Sequence, residues 1–325
     1  MKRWRLALAL LLALLLCGCT AAVNPLARVE ATDAPGLSMT LHPATASQSN
    51  ANELQATLYY RFLTQPMLAC ESRTLTVKRD ESPELAVVNA LLEGPSAGNA
   101  ELIRLFPETV TVESVQLQNG LLFVVLSDAL LRDDGVPTDW LTQSQWRSEA
   151  PLRRRLTIQS LVCSLVETFD DASVQVMIRE QGGAKTTSRL DNGYFLGEAT
   201  GPSDPQTRDE SLLLTPHNAA AALLRACVER DYQTLYAYTA AQTDGVEKPV
   251  YDAFASEVQD VNKLSDVSAS EGNVSPDGRS ACLNVEMSMQ SESRKRTVTA
   301  YPLRLVREGG AWKLPYDRLL ALLKQ

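Results

Sequence analysis

Residues 109–128, TVTVESVQLQNGLLFVVLSD, decide how the first half of the chain folds. In the first arm valine and leucine alternate with polar residues, which is typical of a half-buried strand. Asn119-Gly120 follows, a pair whose backbone tolerates the positive φ of a type I′ turn. Residues 121–126 then return as an apolar run. The stretch predicts a β-hairpin whose second strand lies inside a sheet that is covered on both faces.

Two strands and a helix are predicted before the hairpin. QATLYYRFL at 55–63 and SRTLTVKR at 72–79 alternate apolar and polar positions and contain many residues that favour strands. Ser82 can cap a helix, Pro83 suits its first turn, and the Gly-Pro pair at 94–95 ends it. The first half therefore begins with strand, strand and helix.

A long helix is predicted after the hairpin. Residues 128–150 are polar and irregular, so Trp140 and Trp146 are interpreted as partly buried loop anchors. The helix is expected to begin at Pro151, with the three arginines 153–155 in its first turn, where the helix dipole disfavours cations. These arginines either pair with acidic residues of the same domain or form an exposed contact with a partner.

The second half has helices first and strands afterwards. After a strand at 173–180, residues 197–215 concentrate Gly, Pro, Ser and charge and predict a boundary between domains. An alanine-rich helix is expected at 216–241. The remaining predictions are a helix at 249–258, strands at 265–270, 281–289, 297–307 and 312–314, and a helix at 317–323. This order is typical of an α+β domain with an antiparallel meander.

The N-terminal residues have the proportions of a secretory signal peptide. Three basic residues within the first five positions precede the apolar run 6–16, which is shorter than the roughly 20 residues of a membrane-spanning helix. The run ends in Leu-Cys-Gly-Cys at 16–19, which resembles the lipoprotein box of bacteria. That resemblance implies that Cys19 is the mature N-terminus and carries a diacylglycerol thioether, with acyl chains such as palmitate. Cys17 competes in principle, but the small Gly18 favours Cys19.

The predicted organisation has five parts. They are a signal peptide at 1–18, a disordered tether at 19–52, an α+β domain at 53–200, a linker at 201–215 and a second α+β domain at 216–325. The tether is assigned because its residues lack periodicity and are rich in Ala, Ser, Thr, Pro and Asn.

The charge of the chain restricts its partners. The formal net charge is −8 for 325 residues, and removal of Lys2, Arg3 and Arg5 with the signal peptide makes it −11. An acidic surface repels phosphate backbones and anionic lipid headgroups, so nucleic acid is not expected as a partner. Two acyl chains on Cys19 would provide stable anchoring. We expect the protein on the extracytoplasmic face of the cell membrane.

Catalytic and metal-binding patterns are scarce. His42 lies in the tether and His217 at a helix start, and neither has the spacing of a metal site or a nucleophile triad. The carboxylate pairs 133–134 and 170–171 lie in predicted loops and are interpreted as solvated. We therefore expect no enzyme, no metal and no cofactor.

Four cysteines remain after lipidation, Cys70, Cys163, Cys227 and Cys282. Their spacing is wide and their contexts are apolar, so buried thiols are expected. Export would also permit disulfides, and Cys227 with Cys282 is then the pair that lies within one predicted domain.

Two families resemble parts of this pattern. The motif LLEGP at 91–95, the turn at Pro107 with the hairpin, and the helix 159–169 resemble the spore-germination protein M (GerM) domain over about residues 53–200. The loop 182–200 matches that family only loosely. REGGAWKLPYDRLLALL after the meander is similar to NTF2-like cone domains, which have a curved antiparallel sheet and in some members a pocket.

Three hypotheses follow. The first, since no catalytic constellation is found, is a non-enzymatic interaction or scaffold lipoprotein that contacts envelope or spore-assembly proteins, and the GerM resemblance implies that it acts in sporulation, spore-envelope assembly or germination. The second is a small-ligand binder with a pocket lined by Tyr232, Tyr236, Tyr238 and Trp312. The third is a cell-wall hydrolase.

Overall fold

The computed structural model describes residues 53–132, 143–170, 173–180, 186–197, 199–291 and 294–324. They belong to one compact unit, Leu41–Gln325. Several predictions fall outside the described residues, namely those on the signal peptide, the tether, Cys19, His42, the carboxylates 133–134 and 171, and Trp140.

The first sheet is built from the two predicted strands. β1 (Glu53–Phe62) and β2 (Leu68–Thr76) pair antiparallel, and the helix α1 (Pro83–Glu93) follows them. β3 (Leu102–Ile103) pairs with the end of β1, which gives the order β2-β1-β3. α1 packs against β1 and β2 with a face that is almost wholly buried.

The predicted hairpin is confirmed. β4 (Val112–Gln118) and β5 (Leu121–Ser127) are antiparallel, and the turn residues 119–120 have φ values of 53° and 76°. β5 is the inner strand because β6 (Val174–Arg179) pairs with it in parallel on the other side, and β7 (Thr187–Arg189) follows β6 antiparallel. The sheet order is β4-β5-β6-β7.

The long helix begins earlier than predicted. α2 (Ser144–Phe169) contains Pro151 in its interior, and Trp146 lies on the helix instead of in a loop. A proline inside a helix loses one backbone hydrogen bond. Burial of Trp146 and Ala150 in the first two turns stabilises the earlier start. The arginines 153–155 therefore lie in the third and fourth turns, away from the positive end of the dipole.

A row of hydroxyl side chains on α2 meets the edge of β1 that β3 leaves uncovered. The amide of Thr57 donates to Thr168 Oγ1 at 3.2 Å, and the amide of Tyr59 donates to Ser164 Oγ at 2.9 Å. Ser160 Oγ donates to the carbonyl of Tyr59 at 2.5 Å. Positions spaced by four residues share one face of a helix, so the row takes the place of a neighbouring strand.

The segment between the two predicted domains packs on the first of them. After α3 (Asn192–Phe195), Gln206 forms a bridge with Val174, and Leu213 forms a bridge with Leu68. The proposed linker boundaries remain a prediction.

The helix predicted at 216–241 is two helices. α4 (Pro216–Glu229) ends at Arg230, whose φ of 59° is left-handed. Asp231 then accepts a hydrogen bond from the amide of Thr234 at 3.0 Å and caps α5 (Tyr232–Ala237). The alanine-rich pattern continues across this break, so periodicity alone predicted one helix.

The rest of the second half follows the predicted order. Its elements are β8 (Gln242–Thr243), β9 (Val246–Glu247), α6 (Tyr251–Val261), β10 (Leu264–Ala269), β11 (Asn273–Val274), β12 (Ser280–Ser291), β13 (Arg294–Glu308), β14 (Ala311–Lys313) and α7 (Tyr316–Leu323). β10, β12, β13 and β14 are adjacent in one antiparallel sheet, and β11 pairs with β12. The α+β class is confirmed, whereas the NTF2-like resemblance remains a prediction.

The two halves contact each other closely. The ring of Phe62 packs edge-on against Tyr238, with centroids 5.3 Å apart. The β13–β14 turn brings Gly310 against β2, where a Cβ added to Gly310 would lie 2.0 Å from the carbonyl oxygen of Cys70. Only a glycine fits at such an approach.

A buried cation also joins the halves. Lys313 is 1% exposed, and its Nζ donates to Glu101 Oε1 at 2.6 Å and to Glu308 Oε1 at 2.9 Å. Glu101 belongs to the first half and Glu308 to the second. Two carboxylates therefore compensate one buried ammonium.

Within the described ranges, no helix is both long enough and apolar enough to cross a membrane.

Candidate functional site

The ends of α1 are set by the residues that the sequence singled out. The amide of Leu85 donates to Ser82 Oγ at 3.2 Å, and Pro83 opens the first turn. Gly94 ends the helix with a φ of 99°, and a Cβ there would lie 3.3 Å from Cδ of Arg104. The LLEGP motif is therefore a helix end held against Arg104.

A buried polar cluster fixes the loop that follows α1. Arg73 donates to the carbonyl of Gly94 at 2.9 Å and pairs with Glu71, which is 6% exposed. Glu71 also accepts hydrogen bonds from the backbone amide and the hydroxyl of Ser96 and from the side-chain amide of Asn99. Although burial alone would raise its pKa, the hydrogen bonds from Asn99, Arg73 and Ser96 hold the pKa of Glu71 below its ordinary value.

This pKa predicts sensitivity to acid. The pKa of Glu71 is lower in the folded protein than in an unfolded chain, where it is about 4.3. The carboxylate therefore stabilises the folded state fully above about pH 4.3, and this stabilisation is lost as the pH falls through the folded pKa. We expect Glu71→Gln to lower the free energy of unfolding by about 1 to 3 kcal/mol at pH 7 and by clearly less at pH 3. Urea denaturation at both pH values measures this.

Glu229→Gln, at an exposed position, is the control for that series and should change little at either pH. An equal cost of Glu71→Gln at pH 3 and pH 7 would show that the carboxylate charge is not what holds the loop.

A groove of about 670 Å³ lies beside this cluster. It is lined by residues 74–76 of β2, by one face of α1, and by residues 110–112 at the start of β4. We call it the α1 groove. Its volume lies within the range of about 300–1,000 Å³ that is usual for binding pockets. Its lining combines apolar and polar atoms.

Backbone groups of β2 are available at the α1 groove. The carbonyl of Leu68 faces away from β1 because it accepts from the amide of Leu214 at 2.8 Å. Backbone direction alternates along a strand, and the β1–β2 register has no shift, so the amides and carbonyls of Thr74 and Thr76 face the same way. Within the described chain no strand pairs with this part of β2.

The start of β4 has a similar edge. Thr111 faces β5, since it exchanges hydrogen bonds with Ser127. Val112 therefore directs its backbone groups away from β5. Over the residues that the structure includes, β4 pairs with β5 alone. The α1 groove thus lies beside two strand edges.

The groove is lined by two basic and three acidic residues. Arg104 lies 3.5 Å from Glu108, Glu81 accepts from the side-chain amide of Asn89 at 2.7 Å, and Lys78 is exposed. Glu93 is different, because it is exposed at the last residue of α1 and makes no ion pair in the described part of the chain. A carboxylate at the negative end of a helix dipole favours a cation nearby.

The aromatic residues expected to line a ligand pocket are used in packing. Tyr238 is fully buried against Phe62. Tyr236 packs edge-on against Phe254 at 5.1 Å, and Trp312, which is 7% exposed, lies near Arg307. Tyr232 is partly buried beside the same core. These four side chains therefore contribute to the interior of the second half.

The four cysteines are free thiols. Cys163 and Cys227 are buried as expected, and burial raises the pKa of each to about 12. Cys70 is half-buried and lies 2.8 Å from Arg307, while Cys282 is exposed on β12, so the expectation of burial is wrong for Cys282. The alternative Cys227–Cys282 disulfide is not formed.

The remaining candidates have structural contacts. The ring of His217 lies 3.0 Å from the carbonyl of Ser270. Asp170 is the left-handed C-cap of α2. Arg155 pairs with Asp209 at 2.6 Å, an acidic partner that lies in the segment predicted as a linker, whereas Arg154 lies over the ring of Tyr194 at 3.8 Å.

No group of His, Cys, Asp or Glu that could hold a metal ion occurs in the described residues.

The α1 groove was not predicted from the sequence. LLEGP and the hairpin were each recognised, but nothing in their spacing shows that α1 lies between the edges of two different sheets. One signal was available, since Glu93 places an acid in the last turn of a helix without a basic residue.

A protein-family model matches residues 57–182. The family is Germane, described as sporulation and spore germination. This match confirms the GerM resemblance of the first half, and it includes the whole lining of the α1 groove. No curated protein matches the chain.

Three solved structures match about half of this chain at low identity. The tandem GerMN domains of the Bacillus subtilis sporulation protein GerM share 18% identity with a TM-score of 0.31, over 50% of this chain and 48% of that one. A candidate lipoprotein from Clostridium perfringens shares 14% identity, with a TM-score of 0.27 over 51% of this chain and 95% of its own. The first GerMN domain of the Bacillus subtilis protein GerM shares 16% identity, with a TM-score of 0.28 over 48% of this chain and 98% of its own. This chain spans about half the length of the tandem-domain structure.

Proposed function

We propose, from the Germane match over residues 57–182, that this chain is a lipid-anchored, non-enzymatic scaffold protein of sporulation or spore germination, and that it binds a partner protein in the α1 groove. The observation that carries the binding role is the groove itself, because it lies inside the matched region and is bordered by strand edges with available backbone groups.

The chemistry of the groove supports binding over catalysis. Two of its three carboxylates have partners. Glu81 accepts from the side-chain amide of Asn89 at 2.7 Å, and Glu108 lies 3.5 Å from the guanidinium of Arg104. No histidine, cysteine or serine lines it. A general acid–base pair or an activated nucleophile needs such groups within hydrogen-bond reach of each other. Threonines and strand edges suit recognition of another protein.

The first test is crosslinking in sporulating cells. Thr76 is an exposed lining residue of the groove, so Thr76→Trp should place a bulky ring beside the free edge of β2 with little effect on stability. We expect this variant to lower the yield of the crosslinked partner at least fivefold. Thr187→Trp makes the same change at an exposed position of β7 and should retain the wild-type yield.

Quantitative mass spectrometry of the crosslinked products gives the readout, with equal amounts of each variant in the membrane fraction. Partner yields that are the same for wild type, Thr76→Trp and Thr187→Trp would contradict the groove as the binding site.

The second test concerns the anchor. Cys19 is proposed as the acylated residue because Gly18 precedes it at the end of the apolar run 6–16. We expect Cys19→Ser to abolish lipid labelling and to leave unprocessed precursor, while Cys17→Ser is processed normally. Metabolic labelling with a fatty-acid analogue measures both. Normal labelling of Cys19→Ser would reject the assignment.

A further inference from the structure

We infer that the occupant of the α1 groove is an extended peptide segment of the partner, which adds a strand to the free edge of β2 and places a lysine or arginine beside Glu93. This inference rests on the proposed function and specifies the chemistry of the partner.

The outer edge of β2 is occupied at its start and unpaired at its end. Near its start the edge is occupied, because Leu68 bonds to Leu214 and the carbonyl of Cys70 lies against Gly310. From Thr74 to Thr76 the same edge faces the groove. An unpaired edge is a template for another strand, and main-chain hydrogen bonds then provide affinity without a particular sequence.

The dimensions of the groove fit such a segment. A strand rises about 3.3 Å per residue, so the stretch from Thr74 to Thr76 contacts three or four residues of an added strand. Residues 110–112 form another part of the lining. Alternate side chains of the added strand would then point toward α1 and toward solvent.

Glu93 provides a negative charge that attracts a basic side chain to the groove. Its exposed carboxylate lies at the C-terminal end of α1, where the helix dipole adds negative potential. The other acids of the groove have partners, whereas Glu93 makes no ion pair among the described residues. Because the whole chain has a net charge of −8, a basic segment is also attracted at longer range.

The experiment selects displayed random ten-residue peptides on the full chain in detergent. We expect the selected peptides to contain lysine or arginine and to compete with one another. Glu93→Lys should weaken their binding about tenfold. Glu229→Lys is the matched control, since Glu229 is likewise the exposed last residue of a helix, and it should leave the affinity within twofold of wild type.

Strand addition has its own signature. Single N-methylation removes one amide donor, so scanning a selected peptide should weaken binding at every second position. Equal tolerance at all positions, an unchanged affinity for Glu93→Lys, or failure to select any peptide would overturn the inference. If Thr76→Trp still abolishes crosslinking in cells in that case, the proposed function stands and only the strand-addition mode is rejected.

Discussion

Gly310→Ala is expected to lower the free energy of unfolding by about 3 to 5 kcal/mol, because the new methyl group has no space and an unfavourable backbone. Its Cβ would lie 2.0 Å from the carbonyl oxygen of Cys70 and 3.0 Å from the carbonyl carbon. Both are backbone atoms of a paired strand, so neither can move as a side chain could. The φ of 83° adds a further cost for any residue with a Cβ.

Gly309→Ala is the control for this substitution. The neighbouring glycine also has a positive φ, 58°, but its Cβ would meet only the carboxylate of Glu101 at 3.4 Å. We expect a cost of about 1 kcal/mol there, from the backbone alone. Urea denaturation of both variants separates the clash from the conformational cost, and equal costs would show that β2 and the β13–β14 turn are not in close contact.

Lys313→Met is expected to destabilise the chain by about 3 kcal/mol, since it leaves two carboxylates facing each other without a cation. The side chain of Lys313 is wholly buried, and Glu101 and Glu308 each direct an oxygen at its Nζ. Lys263→Met, at an exposed position, should cost less than about 0.5 kcal/mol.

The triple variant Lys313→Met, Glu101→Gln and Glu308→Gln provides a decisive comparison. Removing both carboxylate charges should recover more than half of the loss, because the penalty arises from uncompensated charge more than from lost packing. A triple variant less stable than Lys313→Met would contradict this account.

A nearby lysine gives a second readout. Burial and the positive charge of Lys313 lower the pKa of Lys248 to about 8. Loss of the Lys313 charge should therefore raise the pKa of Lys248, which NMR titration can follow in the folded protein.

The sequence predicted those elements whose ends are marked by local chemistry. Ser82, Pro83 and Gly94 delimit α1, and Asn119-Gly120 places the hairpin turn, because caps and turns depend on the residues that form them. The break at Arg230 was missed, since a left-handed arginine has no pattern that distinguishes it from a helical one.

Features made by distant residues could not be predicted in the same way. The approach of Gly310 to Cys70 joins positions far apart in the chain, and so does the position of Lys313 between Glu101 and Glu308. Neither depends on periodicity or local propensity. The α1 groove has the same origin, because it exists only once two sheets have assembled around one helix.

The hydroxyl row of α2 has a consequence for stoichiometry. Ser160, Ser164 and Thr168 occupy the side of β1 where another strand would otherwise attach. A sheet continues from copy to copy only if every chain offers two free borders, and the helix closes one of them. Copies of this chain could therefore join edge to edge through β2 only as a pair, and the first sheet cannot extend through them into a fibre.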